Sequence, residues 1–514
     1  MITNLLKKHF DTLVASAAGF CIVVLFSRYG GIGISPDSIA YSSTARNLVA
    51  GHGFTYFSGE PLVLFPLFYP FFLGVVMFLA GSDIIVVAPF LNAFLMAMVV
   101  FLSGIIMEQF KYKTRWYKWM LLAIITVSPS LIEIFTMLWS ETLFIMLSLV
   151  FILQMHHYFK THSLNRLLVA AGVATVAFDT RYAGVTLAAT GCLLLFFDEA
   201  LEWKKRWLHI FVFGSIASLL VVSNLVRNAV LGNHVFGMRQ PGITPFDKNV
   251  EISGTVFSDW MHLQLEGGWG FELLSVAVFL FFLVFFIKNI LHRKSYHTTE
   301  NVAVSFFIVY VLFIVVSSTV SRYETINNRL LAPAFLPFCW ISTCQIPKWL
   351  GHLNAKWLRH LFVGIMSGAF ILLLSGYMYV NIDNYSWMSE SGIPGFNDDT
   401  WTKSDLVVYL QEHPEILEQD NAVFSNFSQA IYWFTGKAVE SLPERVYAEE
   451  VGKFRDEEAA CIIWFDMYDN PDLLDVAEIG KYKSIARTLK FRDGRILYLT
   501  EKAAPQLPPS FVRR

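Results

Sequence analysis

LVLFPLFYPFFLGVVMFLA, residues 62–80, is the stretch on which the topology of this chain turns. It is apolar throughout and close to the ~20 residues that a bilayer's hydrocarbon core demands of a helix. It also carries Pro66 and Pro70, and proline removes a backbone donor and clashes inside a helix. If the stretch crosses a membrane, every later loop changes sides.

The basic residues decide between the two readings. With 62–80 kept on one side, the loops of one face hold Lys7, Lys8, Lys111, Lys113, Arg115, Lys118, Lys160, Arg166, Lys204, Lys205, Arg206, Lys288, Arg293, Lys294, Lys348, Lys356 and Arg359. The other face keeps fewer: Arg28, Arg46, Arg181, Arg227, Arg239, Lys248, Arg322 and Arg329. Cytoplasmic loops are the lysine- and arginine-rich ones, and the bias collapses if 62–80 crosses. The stretch is therefore expected to lie at the outer interface or to re-enter from it. The amino terminus is then cytoplasmic and the carboxyl terminus outside.

Composition sets the class. Hydrophobic residues make up 55% of the 514, charged residues 16%, and there are 47 phenylalanines; mean hydropathy is +0.50. Soluble domains carry about 25% charged residues, so most of this chain is expected in lipid. Spans are expected at 10–27, 84–107, 119–137, 140–158, 167–179, 182–197, 207–226, 272–290, 301–319, 330–346 and 361–380, about eleven in all. In lipid each must be helical, because unpaired backbone groups find no water there. The pair 167–179 and 182–197 is short and also fits a re-entrant hairpin. Lys7-Lys8 before the apolar 12–26 looks like a signal peptide, but no small-x-small site precedes the polar insert, so the segment reads as an anchor. Net charge is −2, which argues against nucleic acid as a partner. The five cysteines offer neither a disulfide framework nor a CxxC metal motif.

Past residue 381 the composition changes. Residues 381–400 are rich in Asn, Asp, Ser and Gly, as in a linker or surface loop. Leu406–His413 reads as helix, Asn421–Phe424 as strand, Ser428–Thr435 as helix stopped by Gly436, and Ala459–Phe465 and Ile496–Thr500 as strands. The expected architecture is a polytopic α-helical membrane domain over 1–380, with interfacial helices in the first outer loop. A small extracytoplasmic α/β domain follows over 381–514.

The first outer loop holds a polar insert, Ser35-Pro36-Asp37-Ser38. Ser35 suits a helix cap and Pro36 the first turn, with a short helix expected to Ala50 and a stop at Gly51. A carboxylate at a membrane's edge is a functional candidate. It also complements a helix dipole, worth about 0.3–1 kcal/mol, and both readings of Asp37 stand on the residues alone.

The following motifs narrow the choice. Asp37-Ser38-x-x-Tyr41, Ala45-Arg46-Asn47-Leu48-x-x-Gly51-x-Gly53-Phe54, Gly59-x-Pro61 and Pro66-Leu67-Phe68-Tyr69-Pro70 resemble the opening of the glycosyltransferase C superfamily. The nearest groups are the protein O-mannosyltransferases, the lipid A aminoarabinose transferases and related bacterial sugar transferases. The likeness continues through Ser128-Pro129, Trp139-Ser140-Glu141-Thr142, Asp179-Thr180-Arg181-Tyr182-Ala183-Gly184, Arg227-Asn228, Gly237-x-Arg239, Asn328-Arg329-Leu330-Leu331-x-Pro333, Ser425-Asn426 and Tyr432-Trp433-Phe434-Thr435-Gly436. It spans nearly the whole chain, each piece being weak and the order specific. Many members have two adjacent acids where this chain has Asp37-Ser38, which makes a bound metal less expected: hard cations favour several carboxylates.

The resemblance implies sugar transfer at the extracytoplasmic face of a cell inner (plasma) membrane, without cofactor or metal. The donor is a polyprenyl-phosphate sugar and the acceptor a lipid, glycan or protein hydroxyl. The anomeric centre inverts, and Asp37 is the base. Outer arginines are the candidates for the lipid phosphate, which they can grip bidentately: Arg181, Arg227, Arg239 and Arg329, with Arg322 also in reach. Each also fits snorkelling to headgroups. Glu141 is a second acid for the acceptor or for an arginine, or the first-turn acid of a span. Glu60 is a weaker candidate, and His52, His234 and His262 lack metal spacing. Tyr41 either stacks on a sugar or packs its helix. A polysaccharide polymerase or ligase also uses outer arginines; a lipid-linked sugar flippase would want paired interrupted spans, which are not seen, and buried mid-span charges, of which Glu133 is the main one.

Overall fold

A computed structural model describes residues 9–232 and 240–501, apart from 264, 266, 323 and 420. Lys7, Lys8, His234, Arg239 and the proline-rich tail from Pro505 lie outside the described residues. Every stretch expected to cross is helical. Among the described residues six helices are long and apolar enough to cross a membrane on their own: Ile84–Met107, Glu141–Thr161, Gly268–Leu291, Thr299–Val320, Asn328–His352 and Lys356–Ser391. Two bent pairs bring the number to eight, Arg115–Thr126 with Pro129–Thr136 (46°) and Trp203–Ala217 with Leu219–Leu231 (41°). The first bend falls at Ser128-Pro129, where Ser128 accepts a hydrogen bond from the Leu131 amide at 3.4 Å and restarts the helix. Phe10–Phe26 and the hairpin legs Leu164–Thr180 and Val185–Phe196 are shorter.

The path of 62–80 follows from what its ends touch. Phe10–Phe26 packs antiparallel on Ile84–Met107, with Gly104 against Thr12 and Gly19 against Met96 and Val100. Residues 26 and 84 therefore share one end of the bundle. Between them, helix Phe68–Ala80 lies on helix Pro36–Val49, its Gly74 against Ala45, Leu48 and Val49. It stops at Gly81, whose φ of 62° suits glycine. Asp83, which caps the next helix, takes both arms of Arg46 at 2.6 and 3.0 Å. The segment leaves and rejoins the same end, with Pro70 in its first turn where proline is tolerated.

The 164–196 hairpin runs the other way. Its foot is tied by His162 Nε2 to Asp198 Oδ2 at 3.0 Å, and its turn, Arg181 to Gly184, reaches the Asp37 end. A side chain at Gly184 would lie 2.3 Å from the Phe178 amide, so this turn closes only with glycine. Glu133, weighed as a mid-span charge, sits at the Asp37 end, carried there by the bend at Pro129, and opens into a cavity.

The last long helix, Lys356–Ser391, continues past the expected linker start at 381 and stops at Gly392 (φ 83°). Its polar residues beyond 380 still suit a helix: Asn381 donates to the Val127 carbonyl at 2.8 Å. Beyond it lies a five-stranded sheet, β1 Ala422–Ser425, β2 Glu440–Ser441, β3 Ala459–Phe465, β4 Lys483–Lys490 and β5 Gly494–Glu501, ordered β2-β1-β3-β5-β4. β1 is parallel to β2 and β3; β5 is antiparallel to β3 and β4. The polar, alternating β4 carried too weak an apolar signal to be expected from sequence. The region around this sheet docks on the Asp37 end through Arg322 with Asp472, Gln240 with Glu444 (2.7 Å), and Phe57 stacked on Tyr432 (4.6 Å).

Candidate active site

Asp37 is fixed by a clasp of three chain segments. Gly33 pairs with Met137, its amide on the Thr136 carbonyl at 2.8 Å and its carbonyl receiving the Leu138 amide at 3.0 Å. On the other side Ile34 pairs with Gly395, and its carbonyl receives the Phe396 amide at 2.9 Å. No side chain fits at Gly33: a Cβ would sit 2.1 Å from Met137 Sδ and 2.9 Å from the Pro394 carbonyl. Ser35 then caps the helix reciprocally with Ser38 and receives the Trp139 indole N–H at 2.8 Å. The acid stands in the first turn, 29% exposed.

Arg329 joins Asp37 to two further acids. Its Nη2 donates to Asp37, its Nε to Glu141 Oε1 at 2.6 Å and its Nη1 to Glu324 Oε2 at 3.2 Å. The guanidinium lies over the Trp139 ring, 4.1 Å from its centroid, a contact that favours a cation. Arg181 Nη1 reaches Glu141 Oε1 at 2.5 Å and Ser140 Oγ at 3.2 Å. Glu141 is fully buried, and its Oε2 has no hydrogen-bond partner, nor has Arg181 Nε. A buried carboxylate tolerates that setting because two guanidiniums share its other oxygen. Three acids against two arginines leave the cluster one negative charge in excess.

Not every candidate joins. Arg227 donates to the Leu62 carbonyl at 2.8 Å, and Asn228 to the Val63 carbonyl at 3.1 Å, so this pair holds the start of the 62–80 segment. Arg322 pairs with Asp472 beside the carboxyl-terminal sheet. Arg239 is outside the described residues, and Glu60 is exposed in the loop. Tyr41 packs: it is buried, edge-on to Tyr69 and Phe65, with its hydroxyl 3.3 Å from Ser140. Burial pushes its phenol above the usual range, as it pushes Tyr56 up to about 12.

Glu324 was missed from sequence because nothing marks it: it sits in an irregular connection with no motif of its own. There partial desolvation raises its carboxyl above the usual range, Arg329 opposing and Asp37 and Glu141 adding to the rise. Beside Asn328 a cavity of about 370 Å³ is lined by Ser130, Glu133, Asp259, His262 and Tyr377. Asn328 fixes its wall, accepting from Ser130 and the Trp260 indole and donating to Asp259 at 3.1 Å.

No protein-family model and no curated protein matches the chain. Solved structures do. ArnT from Cupriavidus metallidurans bound to undecaprenyl phosphate is 12% identical over 96% of this chain and 98% of its own, with a TM-score of 0.53; its apo state gives 0.54 over 94% and 97%. The oligosaccharyltransferase AglB from Archaeoglobus fulgidus, in complex with an inhibitory peptide and a dolichol-phosphate, is 10% identical over 89% of this chain and 70% of its own, with a TM-score of 0.55. At these identities the likeness is one of fold: the chain folds as these ArnT and AglB structures do.

Proposed function

We propose that the chain is a membrane glycosyltransferase that moves a sugar from a polyprenyl-phosphate donor to an acceptor hydroxyl, with inversion and with Asp37 as the base. One observation carries the reading: Asp37, Glu141, Arg181 and Arg329 form a single charged network at one end of a bundle. Two proteins of the same fold have been seen with undecaprenyl phosphate and dolichol-phosphate.

In this mechanism the acceptor oxygen attacks the anomeric carbon from the face opposite the phosphate. Its proton passes to Asp37 as the C–O bond to phosphate breaks. Charge grows on the departing lipid phosphate, and Arg329 and Arg181 stabilise it in a water-poor site, commonly the largest catalytic contribution. Glu324 is the replaceable partner of Arg329, being 43% exposed where Glu141 is sealed; the donor phosphate takes its place on Nη1. The cavity beside Asn328 is assigned to the acceptor, since Glu133 and Asp259 would repel a phosphate. The site faces away from the cytosol, and a reporter fused after residue 381 should respond only outside.

The test is a panel of polyprenyl-phosphate sugars offered to the purified protein with crude envelope acceptors. One donor should be consumed with release of the lipid phosphate. Consumption of none, or of a diphosphate-linked donor alone, overturns the reading in favour of a polymerase, ligase or flippase.

A further inference from the structure

At the end of the bundle away from Asp37, three connections bring together side chains that the proposed transfer does not use. His162 closes helix Glu141–Thr161 in the left-handed conformation (φ 47°), Asp198 follows Val185–Phe196, and His297 precedes Thr299–Val320. His162 Nε2 is 3.0 Å from Asp198 Oδ2, and His297 Nε2 is 2.8 Å from Asp198 Oδ1. The three donor atoms lie within 4.8 Å of one another.

The Asp198 side chain is completely buried, and among the described residues no lysine or arginine forms an ion pair with it. A sealed carboxylate needs compensating charge. A cation bound between the two imidazoles supplies it. Packing holds both rings in position, since they meet edge-on at 5.4 Å and each also lies against Phe159. They remain 26% and 30% exposed, and a cavity of about 100 Å³ lined by Ala200, Tyr296 and His297 opens beside them.

We propose that His162, Asp198 and His297 form a binding site for a divalent metal ion of the zinc class, which fastens these three connections together. Two imidazole nitrogens and a carboxylate oxygen are a zinc ligand set, with water in the fourth position. Donors about 2.0–2.2 Å from a tetrahedral ion stand roughly 3.3 Å apart. The two histidines meet different oxygens of Asp198, and one donor atom from each residue lies within 4.8 Å of the others, so closing on an ion draws the ligands together by up to about an ångström and a half. The site was invisible in the sequence because its ligands are 36 and 99 residues apart, far from any HxxH spacing.

The test uses full-length protein without a histidine tag, stripped with a chelator in detergent and then loaded with Zn²⁺ or with Co²⁺ as a visible-absorption probe. One ion per chain should bind, and the Co²⁺ spectrum should report nitrogen and oxygen ligands. His162→Gln and His297→Gln should each weaken binding at least tenfold, while His209→Gln, at a neighbouring ring outside the triad, should not. Zn²⁺ should raise the unfolding temperature of the wild type and leave that of the double variant unchanged. Asp198→Asn is informative only alongside these glutamine variants, because it alters a buried charge. Wild-type protein that retains no more metal than the His162→Gln/His297→Gln double variant overturns the site.

Discussion

Replacing Asp37 by asparagine separates chemistry from architecture. The asparagine amide is nearly isosteric and keeps an oxygen for Arg329 Nη2. Arg329 itself stays anchored by Glu141 at 2.6 Å, Glu324 at 3.2 Å and the Trp139 ring. Asp37 is about three-tenths exposed, so solvent screening leaves the lost ion pair worth only about 0.2–1 kcal/mol of stability. The clasp at Gly33 and Ile34 is made by backbone and does not involve the acid. A lost general base costs about 10²–10⁴-fold in rate, or about 2.7–5.4 kcal/mol of barrier at roughly 1.36 kcal/mol per decade. The variant should therefore insert, purify and unfold almost as the wild type does, with donor KM changed little and kcat lower by at least a hundredfold. Single-turnover consumption of a labelled polyprenyl-phosphate sugar, measured beside thermal unfolding in the same detergent, reads both quantities. A kcat within tenfold of wild type would refute the role given to Asp37. An equal fall in stability and rate would make the acid a structural residue.

Other perturbations divide the network differently. Arg329→Gln leaves fully buried Glu141 with Arg181 alone, so it should cost about 3–5 kcal/mol of stability as well as raising donor KM; an unchanged unfolding temperature would contradict the geometry. Glu324→Gln should lower donor KM at neutral pH by freeing an arm of Arg329. In the wild type the same gain should appear as pH falls toward the raised Glu324 value, because protonation removes the competing charge; the variant should lack that component of the KM–pH profile. Gly33→Ala forces a methyl against Met137 Sδ at 2.1 Å, and should destabilise by about 1–3 kcal/mol and slow turnover by displacing the Asp37 loop.

How much of this was legible in sequence depended on the kind of signal. Spans came from apolar runs, and the path of 62–80 from two prolines and the distribution of lysines, because lipid punishes irregular backbone and membrane insertion sorts positive charge. The network was partly legible: Asp37, Glu141, Arg181 and Arg329 each stood in a motif at a span's end, although their convergence came only with the fold. Arg227 looked equivalent on the same criterion, yet its guanidinium is occupied by the Leu62 carbonyl. Glu324 and the His162–Asp198–His297 group gave no local sign, since residues brought together by tertiary folding leave no spacing to read.

The pairing of Ile34 with Gly395 has a practical corollary for anyone who would treat the carboxyl-terminal region as a detachable module. A truncation or chimaera cut at the end of helix Lys356–Ser391 strips one edge from the loop that presents Asp37, and the Asn397 side chain goes with it, leaving the Gly30 and Ile32 carbonyls without their donor. Splice points placed after Asn397 preserve that stitching. Grafts designed there keep the loop's scaffold whole while exchanging the sheet.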